Sequence, residues 1–265
     1  MNKLLIIAKN PHTYFIERLV QEAHGVRVRL INPWCEDYLP EADEQILVRS
    51  TAIHGSHNDL DYINRHHLRT LPSLKALTTL RTKPLQFQYF LKHGLSHLPW
   101  LDLLNSSKEE IEHFSADKKK LLIKPQRGQG GWGVRVFADV QELLAWHQVS
   151  EDREYLLQPY LEDHQEIRIF FMGESFVALK RLKQGVAANF RQDGQAQMIM
   201  VPSELAQIVE VINRDLGLIY GACDFLICQG RPYLLEMNLV PGIEQLEEVS
   251  GRNIAGELLA TLLKA

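Results

Sequence analysis

Lys124-Pro125-Gln126-Arg127-Gly128-Gln129-Gly130-Gly131-Trp132-Gly133-Val134 is the stretch on which the fold reading turns. Four glycines fall within six residues, which lets backbone N–H groups come close to an anion. A strand pattern, Leu121-Leu122-Ile123-Lys124-Pro125, leads in and ends at its proline, and a second, Val134-Arg135-Val136-Phe137, leads out. No helix opens after the glycines. The segment therefore departs from the phosphate loop and from the dinucleotide fingerprint, both of which hold their anion on a helix N-terminus. The spacing predicts a hairpin lid over phosphates, with Lys124 on the incoming strand as a point charge. Read alone, a plain glycine-rich hairpin explains it equally well.

Downstream, residues 155 to 182 alternate apolar and polar with Gly173 as a turn, which predicts two or three antiparallel strands. The chain breaks at Gln158-Pro159-Tyr160-Leu161, an ordinary strand exit when read locally. A helix is expected over 203–216. A strand pair then covers Ile219 to Cys228 and Pro232 to Met237, turning at Gln229-Gly230-Arg231. Asp224 lies on the first of these strands. Glu236 and Asn238 lie two apart on the second, so they share a face. Convergence of these oxygen donors suits a magnesium ion that also holds phosphates. Edge carboxylates paired with arginines are the alternative. A final helix runs from Ile254 to Leu263.

Upstream, helices are expected at 74–80 and 82–92, the second closing at His93-Gly94, and Ser106 to Glu110 reads as a helix N-cap. The first seventy residues read as a small parallel α/β unit. Its strands are Leu4 to Ile7, Val26 to Leu30 and Ile46 to Val48, with a helix presenting Phe15, Leu19, Val20 and Ala23 on one face. No glycine fingerprint follows the first strand.

The 265 residues are 45% hydrophobic and 23% charged, so disorder and low-complexity architectures are excluded. With 29 basic against 33 acidic residues the net charge is −4, which leaves no electrostatic footprint for nucleic acid. No apolar run approaches a membrane span, and the short run after Met1 is too brief for a signal peptide. Cys35, Cys223 and Cys228 form no disulfide framework, so a reducing, cytoplasmic setting is expected. His54 and His57, and the adjacent His66-His67, lack a Cys or carboxylate at zinc spacing. Residues Arg49 to His57 are placed along a substrate cleft. Trp132 is expected to anchor the hairpin, and Cys223 to be a small buried residue.

Taken in order, these segments resemble the ATP-grasp superfamily and, within it, the RimK-type alpha-L-glutamate ligases. The resemblance rests on Lys124-Pro125 with Gly128 to Val134, Leu157 to Leu161 with Glu166-Ile167-Arg168, Gly221 to Asp224, Leu235 to Asn238, Pro241-Gly242 and Gly251 to Ala255. It covers residues 75 to 265. It implies an α+β ATP-grasp fold, two α+β subdomains gripping ATP, preceded by the small parallel α/β domain. The boundaries are 1–73, 74–158 (central subdomain with the lid) and 159–265 (C-terminal subdomain with the metal site).

The resemblance also implies roles. Lys83 takes the place of the first nucleotide lysine and Lys124 the second. Gly128, Gly130 and Gly131 lie over the phosphates. Gln158, Pro159, Tyr160 and Leu161 look like the hinge whose backbone reads adenine, Glu166 like the ribose ligand, and Asn189 like the asparagine of the family's Arg-Ser-Asn segment. Asp224, Glu236 and Asn238 match the ligands of two Mg²⁺ (or Mn²⁺) ions. Arg181 looks like the basic residue that, with Lys124, serves catalysis by facing the substrate carboxylate or acyl phosphate. The implied reaction is ATP-dependent carboxylate–amine ligation through an acyl phosphate. Its partners are small-molecule or peptide acids and amines, with no nucleic acid or membrane and a possible homo-oligomer. The chain departs from the family pattern at Ala187, at Phe190 to Gly194 and at Pro159. A ligase acting on a ribosomally made peptide, and an inactive ATP-binding module, are the alternatives.

Overall fold

The computed structural model describes residues 2–34, 39–41, 43–50, 58–128, 130–182 and 195–264. Three sheets organise them. The first is parallel, in the order β2-β1-β3-β4, from β1 (Asn2–Ile7), β2 (Val26–Ile31), β3 (Glu44–Val48) and β4 (Thr70–Leu71). Leu4 to Ile7 form a continuous buried run, as a strand covered on both faces requires. The strand β2 lies at the edge, so Leu30 stays exposed despite its apolar alternation. Helix α1 (Tyr14–Glu22) buries Phe15, Ile16 and Leu19, whereas Val20 turns to solvent, contrary to the sequence expectation; the buried stripe is narrower than four positions. Helix α2 (Asn58–Arg65), not foreseen in its polar sequence, follows β3.

The second sheet is antiparallel, in the order β5-β8-β6-β7, from β5 (Leu101–Asp102), β6 (Leu121–Pro125), β7 (Arg135–Phe137) and β8 (Tyr155–Pro159). Its Leu121, Ile123 and Leu157 pack under α5 (Lys108–Ser115) and α6 (Val140–Val149). Ser107 and Glu110 close a full capping box on α5. Period-two alternation puts Lys124, Leu156 and Gln158 on the opposite face.

The third sheet has the order β11-β10-β9-β12-β13, from β9 (His164–Met172), β10 (Ser175–Leu182), β11 (Gln195–Ile199), β12 (Tyr220–Cys228) and β13 (Arg231–Asn238), all antiparallel. One face, with Ile169, Phe171, Cys223 and Phe225, packs against α7 (Ser203–Leu216) and α4 (Lys83–Lys92), the latter entered from α3 (Leu74–Thr79). The other face is apolar at one end, where Phe170, Leu179 and Ala222 meet α9 (Ile254–Leu262) and, after α8 (Glu244–Ser250), the first sheet. Burying each large side chain of the α9 stripe contributes about 1.5–3 kcal/mol. At its other end this face carries charge.

Candidate active site

The charged end follows from strand register. Glu166 and Arg168 alternate on β9, and Asp224 on β12 sits directly opposite Arg168 on one side and Glu236 on the other. The three side chains form a row across β9, β12 and β13. A bulge between Asp224 and Phe225 re-aims β13, so that Leu234 and Met237 enter the core while Glu236 and Asn238 face the cleft. The hairpin pairs Asp224 with Glu236, while Asn238 pairs with Ala222 and lines the cleft beside Glu236.

Arg168 grips Asp224 with two bonds, Nε to Oδ1 at 2.5 Å and Nη2 to Oδ2 at 2.7 Å. Burial works against the Arg168 charge, but Asp224 more than offsets it and holds the guanidinium above its ordinary pKa. Arg181, buried on β10, donates to Glu166 Oε2 at 2.6 Å, and His164 Nε2 lies 3.3 Å from Glu166 Oε1. Burial pushes the Glu166 carboxyl up, yet the His164 bond and the Arg181 charge prevail and keep it below the usual range.

Two lysines approach the row. Lys83 opens α4, its backbone N–H donates to Gln126 O at 3.1 Å, and its Nζ donates to Gly128 O at 3.1 Å. The same Nζ stands 3.6 Å from Glu236 Oε1. Lys124 Nζ lies 4.8 Å from the centre of the Phe87 ring. Burial and then the like charge of Lys83 pull the Lys124 pKa down to about 7, against the opposing pull of Glu236 and Asp224. Lys83, Arg127, Gly128, Glu236 and Asn238 line one cleft together with Leu80 and Val240.

Gln86 also lines this cleft, and sequence reasoning missed it. It lies one helical turn beyond Lys83 and clamps β13. Its Nε2 donates to Met237 O at 3.1 Å and its Oε1 accepts from Met237 N–H at 2.8 Å. The clamp satisfies the outer edge of β13 immediately before Asn238. The available signal was a glutamine in the Lys83, Phe87, Phe90 stripe at helical spacing.

β6 and β7 pair antiparallel, and the glycine-rich segment joins them. Gly130, Gly131 and Gly133 have φ of +71°, +75° and +76°. A Cβ on Gly133 would lie 2.7 Å from Pro125 Cγ. Trp132 does not anchor the hairpin: it is 74% exposed, because its flanking left-handed glycines carry it outward. Cys223 is fully buried, and burial raises its thiol well above the ordinary value, as befits a packing residue. Pro159 still pairs in β8, with Leu121, and Tyr160 N–H bonds to Lys120 O as the chain leaves the sheet. Leu161 O meets His164 Nδ1 at 2.5 Å. Asn189, Ala187 and Phe190 to Gly194 lie outside the described residues, as do Cys35, His54 and His57.

Two observations test whether these residues fit a nucleotide and its metal. Gln158 is 2% exposed and its Nε2 has no partner, an orphaned donor on the face that also bears Lys124. An adenine would meet it, since buried donors are rarely left unpaired. Among the described residues no three His, Cys, Asp or Glu converge. The donors at hand are the carboxylates of Glu236 and of Asp224, the latter shared with Arg168, and the Asn238 amide, hard oxygens with too few charges to complete a shell alone. That is the pattern of magnesium shared with phosphates. The residues fit both groups.

The family model of the RimK-like ATP-grasp domain matches residues 82–262. The chain belongs to that family. Over 99% of its length it is 26% identical to a "Probable alpha-L-glutamate ligase" of Legionella pneumophila (strain Corby), 95% of which is covered, and 25% identical to "Probable alpha-L-glutamate ligase 1" of Shewanella amazonensis, 96% covered. Its fold matches the ATP-grasp ligase PsnB in complex with a minimal precursor (TM-score 0.76, 17% identity, 100% and 99% of the two chains). It also matches D-alanine–D-alanine ligase of Bacillus anthracis (0.70, 15%, 100% and 97%). This RimK-like protein is an ATP-grasp ligase that forms carbon–nitrogen bonds with ATP, in a class that uses divalent metal ions. No helix among the described residues is long and apolar enough to cross a membrane.

Proposed function

We propose that this ligase activates a small-molecule or peptide carboxylate at the charged end of the third sheet, with residues 1–73, 74–158 and 159–265 as its working units. One observation carries the reading. Asp224 and Glu236 face each other across paired strands, with Lys83 3.6 Å from Glu236. Their electrostatic environment extends to Lys124. Adenine would lie against Gln158 to Leu161 and ribose near Glu166. The phosphates would lie between Lys83, Lys124 and the N–H groups of Gly128, Gly130 and Gly131. Asp224, Glu236 and Asn238 would hold magnesium. When bound, the metal would neutralise charge on the phosphoryl group.

The rest falls to the chain's own residues. A carboxylate is a poor electrophile. Attack of its oxygen on the γ-phosphorus releases ADP and gives an acyl phosphate; an amine then displaces inorganic phosphate and forms the amide. Lys83 exchanges Gly128 O and Glu236 for phosphate oxygens, and Lys124 binds them as its ammonium form. Arg181 sets the carboxylate of Glu166 toward the nucleotide and stands at the substrate side of β10. The lid keeps water from the acyl phosphate. No side-chain nucleophile is needed. The name of the curated relatives supports L-glutamate as one of the joined molecules. ATP supply and the unpaired Cys223 and Cys228 support a cytoplasmic setting.

The test is incubation with ATP, magnesium and pooled amino acids and peptides, read by mass spectrometry. An amide product containing glutamate, with one ADP per bond, is expected. A product on peptides alone would move the substrate to the peptide class, and ATP binding without any product would sink the assignment.

A further inference from the structure

Asn238 is the last residue of β13, and two devices from different parts of the chain hold the backbone on either side of it. Before it, Gln86 grips Met237. After it, Asn238 Oδ1 accepts from Val240 N–H at 3.0 Å, an Asx turn that fixes the amide's rotamer. The turn runs into Pro241, whose carbonyl accepts from Arg49 Nη2 at 3.1 Å. Arg49 sits 192 residues away in sequence, just past the end of β3 in the first sheet, where its own N–H continues the ladder to Ile7 O at 2.8 Å. Its guanidinium carbon lies 3.5 Å from the centre of the Phe15 ring of α1. Its charge also faces the Tyr220 hydroxyl, buried four residues before Asp224 on β12. Arg49 is thus fixed on one side by strand pairing and ring stacking, and on the other it holds the turn that sets Asn238.

We propose that Arg49 is a positioning residue for the metal site: the N-terminal sheet fixes the orientation of the Asn238 amide through Arg49 and the 238–241 turn. The inference rests on Asn238 being a metal ligand, as proposed above. It gives the N-terminal unit a part in metal binding besides walling the cleft, where Ser50, the next residue, lines the cavity. A planar fork that both stacks and donates is needed, which lysine supplies only in part.

The experiment measures Mn²⁺ binding to the full chain in the presence of ADP, by electron paramagnetic resonance, for wild type, Arg49→Met, Arg49→Lys, Asn238→Ala and Leu19→Ala. The last removes a core side chain of α1 and controls for lost stability. Asn238→Ala and Arg49→Met should each weaken Mn²⁺ binding about tenfold, Arg49→Lys should recover part of the loss, and Leu19→Ala should lower Tm without moving Mn²⁺ affinity. Unchanged Mn²⁺ affinity in both Arg49 variants, with Asn238→Ala impaired, overturns the role of Arg49 alone. Asn238→Ala binding Mn²⁺ like wild type overturns the ligand assignment and the proposal with it. Equal weakening in Leu19→Ala reduces Arg49 to a stability contact. Should Arg49→Met fail to fold, the Arg49→Lys comparison decides by the same criteria.

Discussion

The floor and the lid of the cleft are built in opposite ways. On the floor every charged group already has a partner: Arg168 with Asp224, Arg181 with Glu166, and Lys83 near Glu236. Apart from Lys83, which opens α4, these residues ride on strands paired over long registers and backed by a close-packed core. In the lid, residues 130 to 133 are exposed, three glycines adopt left-handed conformations, and Lys83 holds Gly128 O at the base. The floor is set before any ligand arrives, which spares reorganisation during reaction. Among the described residues few bonds hold this hairpin, such as Val134 N–H to Gly131 O, so a bound ligand is expected to add to its order. Changes to the floor should therefore strike turnover, and changes to the lid should strike order.

The largest effect should come from Glu236→Ala. It removes a proposed metal donor, takes the ion-pair partner from Lys83 and leaves Asp224 to oppose the lysine charges, so ATP turnover with magnesium should fall at least about a thousandfold, ~4 kcal/mol in the barrier. Steady-state ADP release on folded protein checks this. Turnover within tenfold of wild type would show that the row on the third sheet is a structural ion-pair network.

Lys124→Met should weaken ATP binding about ten- to a hundredfold, the range for losing a hydrogen bond from a charged donor, while the stem keeps its packing on Phe87. Calorimetry on the variant measures it. An unchanged Kd would shift the phosphate role to Lys83 alone.

An effect bounded by that loss should appear in the pH dependence of the same interaction. With its pKa near 7, Lys124 is about half neutral in the free protein at neutral pH. Phosphate favours the ammonium form and raises the pKa, so binding takes up a proton. Affinity should be highest below pH 7 and fall by up to about tenfold per unit as pH rises from 7 to 9. Calorimetry in buffers of different ionisation enthalpy should register the uptake near pH 8, and Lys124→Met should abolish it. Proton release in wild type would contradict the burial of this lysine.

The floor was far more legible in sequence than its supports. Glu236 and Asn238 announce a shared face because strand periodicity is two, and Gln229-Gly230-Arg231 tells where the strands turn. Sheet order depends on long-range pairing, which local pattern does not encode. Arginine pairing of the carboxylates could be read as an alternative, but not the placement of β9 between β10 and β12 that makes Arg168 the partner of Asp224. Helix α8 hid because its seven residues bury Leu246 alone. Helix α2 hid in a polar sequence whose few apolar residues, Leu60, Tyr62 and Ile63, are buried in the core. Arg49 looked like a cleft residue because sequence shows that a guanidinium is present but not that it reaches a carbonyl 192 positions away. Trp132 misled because bulk alone suggested packing, whereas the φ of the neighbouring glycines decides which way it points.

The smallest expected effect lies in the lid, and it separates the two modes of construction most directly. Glycine loses more backbone entropy on ordering than any other residue, so Gly128 to Gly133 should exchange their amide hydrogens freely in the absence of nucleotide. ATP with magnesium gives their N–H groups phosphate acceptors, and closure should slow exchange across residues 127 to 134 by about tenfold, ~1.4 kcal/mol. The floor strands β9 and β12, already paired, should change far less under the same conditions. Trp132 supplies a second observable, because its 74% exposure leaves room for a change that Trp34, Trp100 and Trp146, all less exposed, cannot match. Gly133→Ala sharpens the result: its Cβ would meet Pro125 at 2.7 Å, at a φ of +76° that alanine resists. The variant should lose the nucleotide-induced protection while keeping that of β9. Equal exchange of residues 127 to 134 with and without nucleotide would make the glycines turn chemistry only, and exclusion of water from the acyl phosphate would then have to come from the walls of the cleft.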